Sequence, residues 1–417
     1  MCKKITNNAY VFSVIAKGFS VLSGIVYSIL YSRYLGAELR GTASIINNYA
    51  DIISIILCLG AFQAYPYFKQ RDKKDIYESF LNNVFALLIA IILVLIPAIF
   101  LIPFSTNIIV ALLIAPVWMA SRQLNYVVVV ENPRLSNIGS IILDVSDLFT
   151  LALLMIFTKA DLKWCIVVVA LKQVFFLLIC IRNICFRRFR FRPTLKGIFP
   201  YIRYGIVPMI TIILMEVNYK VDVLMLEWFH ISNATIGIYS LGVMLAQKVW
   251  MVPDALKDIL LSKLVGGKGE EEVAKISRIS FFITMVCELL VVVFGKPLIR
   301  LLYGSEYDGA YFITLIICAG VVGMVFYKMI YSYNVANGDK NVNLSLLGIT
   351  ALANILLNAI SIPFLGSYGA AIASLVSYLV CGIGFLMHFS RKTGTKVLDV
   401  VLIKKDDFTV LREIFIK

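Results

Sequence analysis

Long apolar runs recur along the whole chain, separated by short polar segments. A run of about 20 residues, wound as an α-helix, crosses the roughly 30 Å hydrocarbon core of a bilayer. The pattern therefore predicts an all-α polytopic membrane protein with twelve transmembrane helices. The predicted spans fall at about 8–33, 41–66, 78–103, 107–130, 138–158, 163–182, 201–227, 234–257, 279–300, 309–336, 342–365 and 368–390.

The composition agrees with this pattern. Hydrophobic residues make up 60% of the 417 residues, charged residues make up 15%, and the mean hydropathy is +0.88. Soluble domains usually carry about 25% charged residues. The first apolar run is longer than a signal-peptide core and is followed by no small-residue cleavage site, so we expect it to be a retained helix.

The distribution of basic residues predicts the orientation. Lys and Arg outnumber Asp and Glu by 14, which gives a formal net charge of +14. The basic residues concentrate in every second predicted loop. Cytoplasmic loops carry such an excess because positive charges set membrane topology. Both termini are therefore expected in the cytoplasm. The basic surplus is explained by orientation, and we expect no nucleic-acid partner.

The most basic loop divides six spans from six. We predict an N-terminal six-helix lobe at 1–182, a basic cytoplasmic linker at 183–200, a C-terminal six-helix lobe at 201–390 and a cytoplasmic tail at 391–417. Similar segments lie six spans apart, so the lobes form a parallel repeat. Binding of anionic lipid headgroups is one role for the linker, but a purely topogenic role is favoured. The tail either lies on the membrane as an amphipathic segment or is frayed.

Twelve charged residues fall in the middle of predicted spans. Each costs at least about 2.5–3.5 kcal/mol in the bilayer centre, so such residues usually face a bundle interior and mark a solute or ion path. For any single one of these residues, pairing with an opposite charge on another helix is an equally good explanation. For the set as a whole we favour a path for a solute or an ion. The cations are Lys17, Arg122, Lys172, Lys220, Lys248 and Lys328, and the acids are Asp51, Asp144, Asp147, Glu216, Asp222 and Glu288.

The seventh span, Tyr201–Glu227, is the most highly charged. Glu216 and Lys220 are one helical turn apart and are expected to form a pair, whereas Asp222 points to another face. Pro208 is expected to kink this helix. Lysines in a water-filled cleft suit an anionic solute such as phosphate, and acids suit a coupling proton or Na⁺.

Catalytic motifs are missing from the sequence. It contains no Gly-rich phosphate loop with a GK[ST] ending, no HExxH, no Ser-His-Asp set and no metal-ligand spacing. Its eight cysteines form no CxxC pair and are interpreted as packing residues. We therefore expect a protein that is not an enzyme and binds no cofactor or metal.

Three stretches resemble the Wzx-type polysaccharide and oligosaccharide-lipid flippases of the multidrug/oligosaccharidyl-lipid/polysaccharide (MOP) exporter superfamily. They are SRYLGAELRGTASI (32–45), PLIRLLYGSEYDGA (297–310) and the segment 336–378. In the last segment, the family's pattern of an Asn, a Pro and then Gly-x-x-Gly-Ala-Ala is matched by Asn358, Pro363, Gly366, Gly369, Ala370 and Ala371.

The resemblance implies two six-helix lobes around a central cavity, as in MATE transporters, which opens alternately to each side of the bacterial cytoplasmic membrane. The cavity would hold the pyrophosphate of a polyprenyl-linked oligosaccharide, the repeat unit of a capsule, O-antigen or similar polymer. Lys17, Lys248 and Lys220 would meet the phosphates. Asp51, Glu216 and Asp222 would serve coupling or gating.

The same resemblance implies the partners, which are the lipid-linked oligosaccharide, membrane lipids and polysaccharide assembly proteins. The alternative function is a cation-coupled drug or metabolite antiporter of the same superfamily. Such a transporter would have acids dominating its cavity, and the mid-span lysines argue against it.

Overall fold

A computed structural model describes residues 2–71, 75–265 and 269–407, and within these ranges the chain is helical with no β-strand. The helices are α1 (Cys2–Leu57), α2 (Ala61–Arg71), α3 (Tyr77–Leu101), α4 (Thr106–Glu131), α5 (Pro133–Phe157), α6 (Leu162–Ile184), α7 (Phe199–Trp228), α8 (Asn233–Val249), α9 (Met251–Val265), α10 (Glu270–Tyr303), α11 (Ala310–Ala336), α12 (Lys340–Leu365), α13 (Ser367–Thr393) and α14 (Val397–Val401).

Every predicted span coincides with a helix or a pair of helices. In the described ranges, nine helices are long and apolar enough to cross a membrane, one of them running through both α1 and α2. The first two predicted spans meet inside α1 at Gly36, whose φ of 70° and ψ of 176° interrupt the helical geometry. Glycine adopts such a positive φ without a steric penalty. The protein is thus an all-α, multi-pass membrane protein with about twelve transmembrane helices.

Large apolar side chains cover the outside of many helices. Leu93, Val94, Phe100 and Leu101 of α3, for example, are between 68% and 85% exposed. Soluble proteins rarely expose contiguous apolar surfaces of this kind. Lipid chains solvate such side chains well, so this surface confirms the membrane assignment.

The first compact unit is Met1–Ile213, and α4 is its central helix, in contact with α1, α2, α3, α5 and α6. The basic segment that follows α6 is anchored to this unit: the Asn82 side chain donates to the Arg190 carbonyl at 3.0 Å and accepts from the Arg192 N–H at 2.7 Å. Arg187 forms ion pairs with Glu131 and Asp75. Arg187 is thus occupied by carboxylates, while binding of lipid headgroups by this segment stays a prediction.

The second compact unit is Leu214–Lys417, and α11 is its central helix, packed against α8, α9, α10 and α13. Two glycines of the family-like pattern shape the hairpin between α12 and α13: Gly366 lies in the turn and Gly369 in the first turn of α13. Gly366 has a φ of 55°, and a Cβ on Gly369 would lie 2.4 Å from the Ser361 carbonyl oxygen. The tight hairpin therefore requires glycine at both positions. The division between the two units lies inside α7, which is continuous through Pro208, and the predicted lobe boundaries stay a prediction.

Five of the seven described cysteines are buried free thiols that pack in the interior, as predicted: Cys58, Cys165, Cys180, Cys318 and Cys381. Cys287 is half-buried and Cys185 is exposed. Short turns led by Asn follow α4 and α11: Asn132 caps α5 by accepting from the Leu135 N–H at 3.2 Å, and Asn337 donates to the Tyr333 carbonyl at 2.9 Å.

The described part of the C-terminal tail is docked rather than frayed. The short helix α14 packs against α10 and α13. Arg278 of α10 donates to both carboxylate oxygens of Asp407, at 2.7 and 3.0 Å, and Asp407 is 1% exposed. Burial alone would raise the pKa of Asp407, but hydrogen bonds from Arg278 and the Lys404 backbone hold it below its usual range. The tail's last apolar residues, from Phe408 onward, lie outside the described residues.

We expect Asp407→Asn to release this tail and to lower the free energy of unfolding by about 3 kcal/mol, because it leaves the buried Arg278 without its counterion. The stabilisation is complete above the unfolded-state pKa of aspartate, about 3.9. It is lost as the pH falls through the lower folded-state pKa, because Asp407 must then take up a proton. Protease cleavage near residue 400 and thermal melting of the purified protein measure the effect.

The matched control is Lys404→Gln, which removes a half-exposed pair between Lys404 and Asp399. Exposed pairs contribute about 1 kcal/mol or less, so this variant should melt like the wild type. Equal melting of the Asp407 and Lys404 variants would contradict the proposed docking by Arg278.

Candidate functional site

Most of the cations at membrane depth are neutralised by a carboxylate of their own unit. The four ion pairs are Arg122–Asp51, Lys172–Asp147 at 2.8 Å, Lys220–Glu216 at 2.6 Å and Lys328–Asp254 at 2.8 Å. Mutual pairing therefore explains four of the six mid-span cations. The expectation that the set as a whole marks a solute or ion path stays a prediction.

Asp51 joins two helices of the first unit. It lies on α1, is 5% exposed, and accepts a hydrogen bond from the Arg122 guanidinium of α4. A charge-assisted contact of this kind holds the two helices together. Arg122 would have to release Asp51 before this carboxylate could serve coupling or gating.

Aromatic rings support two of the other lysines. Lys172 lies 4.7 Å from the centre of the Tyr27 ring, and Lys328 lies 4.8 Å from that of Trp250. The electron-rich face of a ring attracts a cation, so each ring adds to the neutralisation by the carboxylate. The partnership of Lys328 with Asp254 and Trp250 gave no signal in the sequence, since these residues are distant in the chain.

The predicted pair on α7 is present. The Lys220 ammonium lies 2.6 Å from a Glu216 carboxylate oxygen, and both side chains are 25% exposed. A ligand with more negative charge than one carboxylate can compete with Glu216 for Lys220.

Asp222 lies in a different environment from Glu216, as the spacing along α7 predicts. It is 1% exposed and accepts hydrogen bonds from the Tyr239 hydroxyl of α8 and, at 3.1 Å, from the Ser374 hydroxyl of α13. Asn218, one turn earlier, is 1% exposed, and both polar atoms of its side chain lack a partner among the described residues. The partners of this carboxylate are thus neutral dipoles, which leave it free to take up a proton or a small cation.

A further network extends from this position into α12. Ser377, one turn beyond Ser374, accepts from the Asn354 amide at 3.0 Å, and Asn358 donates to the Asn354 side chain at 3.0 Å. The i,i+4 spacing of Asn354 and Asn358 was a signal for this network that sequence reasoning missed. Tyr239 and Ser374 had no such signal, because tertiary packing alone brings them to Asp222.

Lys248 differs from the paired lysines. It lies near the end of α8, its side chain is partly buried, and it has no ion-pair or hydrogen-bond partner among residues whose side chains the structure describes. Lys17 lies on α1 in the first unit with an exposed side chain. Of the three predicted phosphate-binding lysines, the structure thus pairs Lys220 and leaves Lys248 without a carboxylate.

We expect Asp51→Asn alone to destabilise the protein by about 3 kcal/mol, because Arg122 would be left without its partner in an apolar environment. The double variant Asp51→Asn with Arg122→Gln should lose less, because neither charge then remains unpaired. Thermal melting of the single and double variants gives the coupling between the two sites. Strictly additive losses would show that the pair contributes nothing.

No protein-family model matches this sequence, and no curated protein matches it. Several solved structures match it in fold. The lipid II flippase MurJ in an inward closed conformation aligns with a TM-score of 0.75 at 17% identity, over 97% of this chain and 92% of MurJ. A multidrug-resistance MATE-family transporter of the MOP superfamily, in an inward-facing conformation, aligns with a TM-score of 0.62 at 14% identity, over 92% of this chain and 100% of the other.

A mutant of the Vibrio cholerae MATE transporter VcmN aligns with a TM-score of 0.61 at 14% identity, over 95% of this chain and 99% of the other. Identities this low establish a shared fold and leave the substrate open. The chain therefore has the fold of the MurJ flippase and the MATE transporters of the MOP superfamily.

Proposed function

We propose that this protein is a flippase that translocates a polyprenyl-pyrophosphate-linked oligosaccharide across the bacterial cytoplasmic membrane by alternating access, for the synthesis of a surface polysaccharide. The observation that carries the proposal is the state of Lys248. It is a partly buried cation without a carboxylate partner in the described residues, in a chain that neutralises most cations at this depth. The fold likeness to a lipid II flippase supports a lipid-linked substrate.

Lysine suits the diphosphate group for a physical reason. Its ammonium is a compact charge with three rotatable donors, and it binds phosphate without a fixed fork geometry. Lys248 can meet an anion without displacing a protein carboxylate, unlike Lys172 and Lys328. Lys17, with its exposed side chain on α1, is the second phosphate ligand in this proposal.

Lys220 is the third ligand, and its pairing with Glu216 makes it conditional. In the absence of substrate the pair closes on itself at 2.6 Å. A diphosphate carries more negative charge than Glu216 and would attract Lys220 away from it. Glu216 then acts as a gate, because its released carboxylate needs a new proton or cation.

Asp222 is the coupling carboxylate in this proposal. Its donors are the neutral hydroxyls of Tyr239 and Ser374, so binding of a proton or Na⁺ breaks no ion pair. Asp51 is less suited to this role, because Arg122 already neutralises it. Polysaccharide assembly proteins would deliver and receive the lipid-linked saccharide on either side of the membrane.

The second candidate function is a cation-coupled drug or metabolite antiporter. The MATE likeness favours it, since one such neighbour is a multidrug-resistance transporter. A cationic drug, however, needs a carboxylate that can be released to it. Five of the mid-span acids predicted from the sequence have a partner among the described residues. Three of these five, Asp51, Asp147 and Glu216, are held by a cation and so are not open to a cationic drug.

We expect Lys248→Gln to lower saccharide translocation at least about tenfold, equivalent to about 1.4 kcal/mol of lost phosphate interaction. Combining it with Lys17→Gln should lower it further. Proteoliposomes loaded with radiolabelled lipid-linked repeat units from the producing cell measure this as protection from an impermeant oxidant. Lys296→Gln, which removes an exposed lysine of α10, is the matched control and should transport normally.

Normal translocation by the double Lys17 and Lys248 variant would overturn the assigned phosphate site. Efflux of a cationic dye by the wild type, with no movement of the saccharide, would replace the flippase by the antiporter.

We expect Glu216→Gln and Lys220→Gln to act in opposite directions on pyrophosphate binding. Removing Glu216 frees Lys220 and should strengthen binding, whereas removing Lys220 should weaken it. The rise in melting temperature on adding inorganic pyrophosphate measures both effects. Glu271→Gln, which removes an exposed carboxylate at the start of α10, should leave that rise unchanged. Equal effects of the two α7 variants would show that Glu216 and phosphate do not compete for Lys220.

A further inference from the structure

Glu288 is the exception among the mid-span acids. It lies in α10 and is 9% exposed, and one of its carboxyl oxygens is buried without any hydrogen-bond partner in the ranges that the structure describes. The other five acids each have a partner on another residue. The partner pairs are Asp51 with Arg122, Asp144 with Ser20, Asp147 with Lys172, Glu216 with Lys220 and Asp222 with Tyr239.

The helices around Glu288 supply no cation to it. α10 packs against α8, α9, α11 and α14, and no ion pair joins Glu288 to a described residue of these helices. The titratable groups that sense its charge are thiols, Cys287 on α10 and Cys318 on α11. The next residues, Leu289 and Leu290, are 62% and 52% exposed, so Glu288 points away from the lipid-facing side of α10.

Three hydroxyls lie on the same face of α10 as Glu288. Ser277, Ser280 and Thr284 are fully buried, and their oxygens lack a partner among the described residues. Ser277, Ser280, Thr284 and Glu288 are separated by three, four and four residues, which places all four side chains on one stripe of α10. This stripe is about 16 Å long from Ser277 to Glu288. The stripe runs from the N-terminal part of α10 towards its middle.

Buried hydroxyls elsewhere in this unit behave differently. Thr314 donates to the Ala310 carbonyl at 2.8 Å and Ser332 donates to the Lys328 carbonyl at 3.1 Å, each one turn back on its own helix. This is the usual way in which a membrane helix satisfies a hydroxyl. Ser277, Ser280 and Thr284 do not turn back in this way, so their hydroxyls remain available to a ligand.

The chemistry of this stripe suits a proton better than a metal cation. An ionised carboxylate is very costly at an apolar site without a partner, whereas the neutral acid is not. A Na⁺ or Ca²⁺ ion needs about six oxygen ligands, and the only nearby side-chain oxygens on the stripe are those of Glu288 and Thr284. A proton needs a single oxygen, with which it forms an O–H bond, and no other bond has to break.

We propose that Glu288 is a proton-binding carboxyl of the second unit, and that the hydroxyls of Ser277, Ser280 and Thr284 form the route by which a proton reaches it from the N-terminal end of α10. Water between the hydroxyls completes the hydrogen-bonded chain. The site is separate from Asp222, whose partners are on α8 and α13. Only the role of this site in transport rests on the proposed flippase function. In that role, Glu288 would be a second titratable group in the transport cycle, beside Asp222.

Labelling with dicyclohexylcarbodiimide tests the site, because this apolar reagent adds to protonated carboxyls inside membranes. The protonated acid transfers its proton to a carbodiimide nitrogen, and its oxygen bonds to the central carbon, so the adduct adds the whole reagent mass. We expect mass spectrometry of the protein in liposomes to find the adduct on Glu288, with less of it as the pH is raised. Glu288→Gln should lose the adduct, and Glu271→Gln should keep it.

Infrared spectroscopy is a second test of the same site. A carboxylic C=O band should be present, shift in D₂O, and be absent from Glu288→Gln. Thr284→Val should slow that shift several-fold by interrupting the hydroxyl route. Thr350→Val is the matched control, because Thr350 bonds back to the Leu346 carbonyl of its own helix.

An unlabelled Glu288 in the wild type, or labelling that Na⁺ prevents at constant pH, would overturn the proton site. An unchanged D₂O shift in Thr284→Val would overturn the route. Neither outcome depends on transport. Loss of saccharide translocation with labelling intact would instead count against the proposed flippase.

Discussion

Neutralisation of charge in an apolar medium is the constraint on which both units depend. An isolated ion in hydrocarbon is so costly that each buried cation needs a counterion close to it. In the first unit Asp51 and Arg122 meet this need between α1 and α4, and Asp147 and Lys172 meet it between α5 and α6. Both pairs join helices that also pack against each other. Packing and electrostatics select the same helix neighbours.

The residues that depart from this rule are the ones that can carry function. Lys248 has no carboxylate and Glu288 has no cation among the described residues, while Asp222 has hydroxyl partners in place of a charged one. An ion pair is already satisfied and changes its partner only when a group of greater charge competes for one of its members. An unsatisfied or hydroxyl-bonded group changes its energy when a ligand arrives, and a transport cycle needs such a change.

Local features were predictable from the sequence to the extent that they depend on a few residues. The apolar runs predicted each helix, because a membrane helix satisfies its own backbone and has only to be apolar for long enough. The Glu216–Lys220 pair followed from one helical turn of spacing. The break between the first two spans was predicted between residues 33 and 41, and the structure places it at Gly36, where the positive φ suits a glycine. Contacts such as Asp222 with Ser374 lie far apart in sequence and were missed.

The sequence alone determined that this is a membrane protein of about twelve helices, since hydrophobic length is a property of each segment by itself. It also determined which charges lie at membrane depth. Only the tertiary structure decided which of these charges are neutralised, because that depends on which faces of neighbouring helices meet. Six of the twelve charged residues form three ion pairs with one another, and Lys328 pairs with Asp254. Asp144 and Asp222 accept hydrogen bonds from hydroxyls, while Lys248 and Glu288 have neither kind of partner among the described residues. Hydropathy contains no information about that separation, since it is a pairwise property of the folded chain.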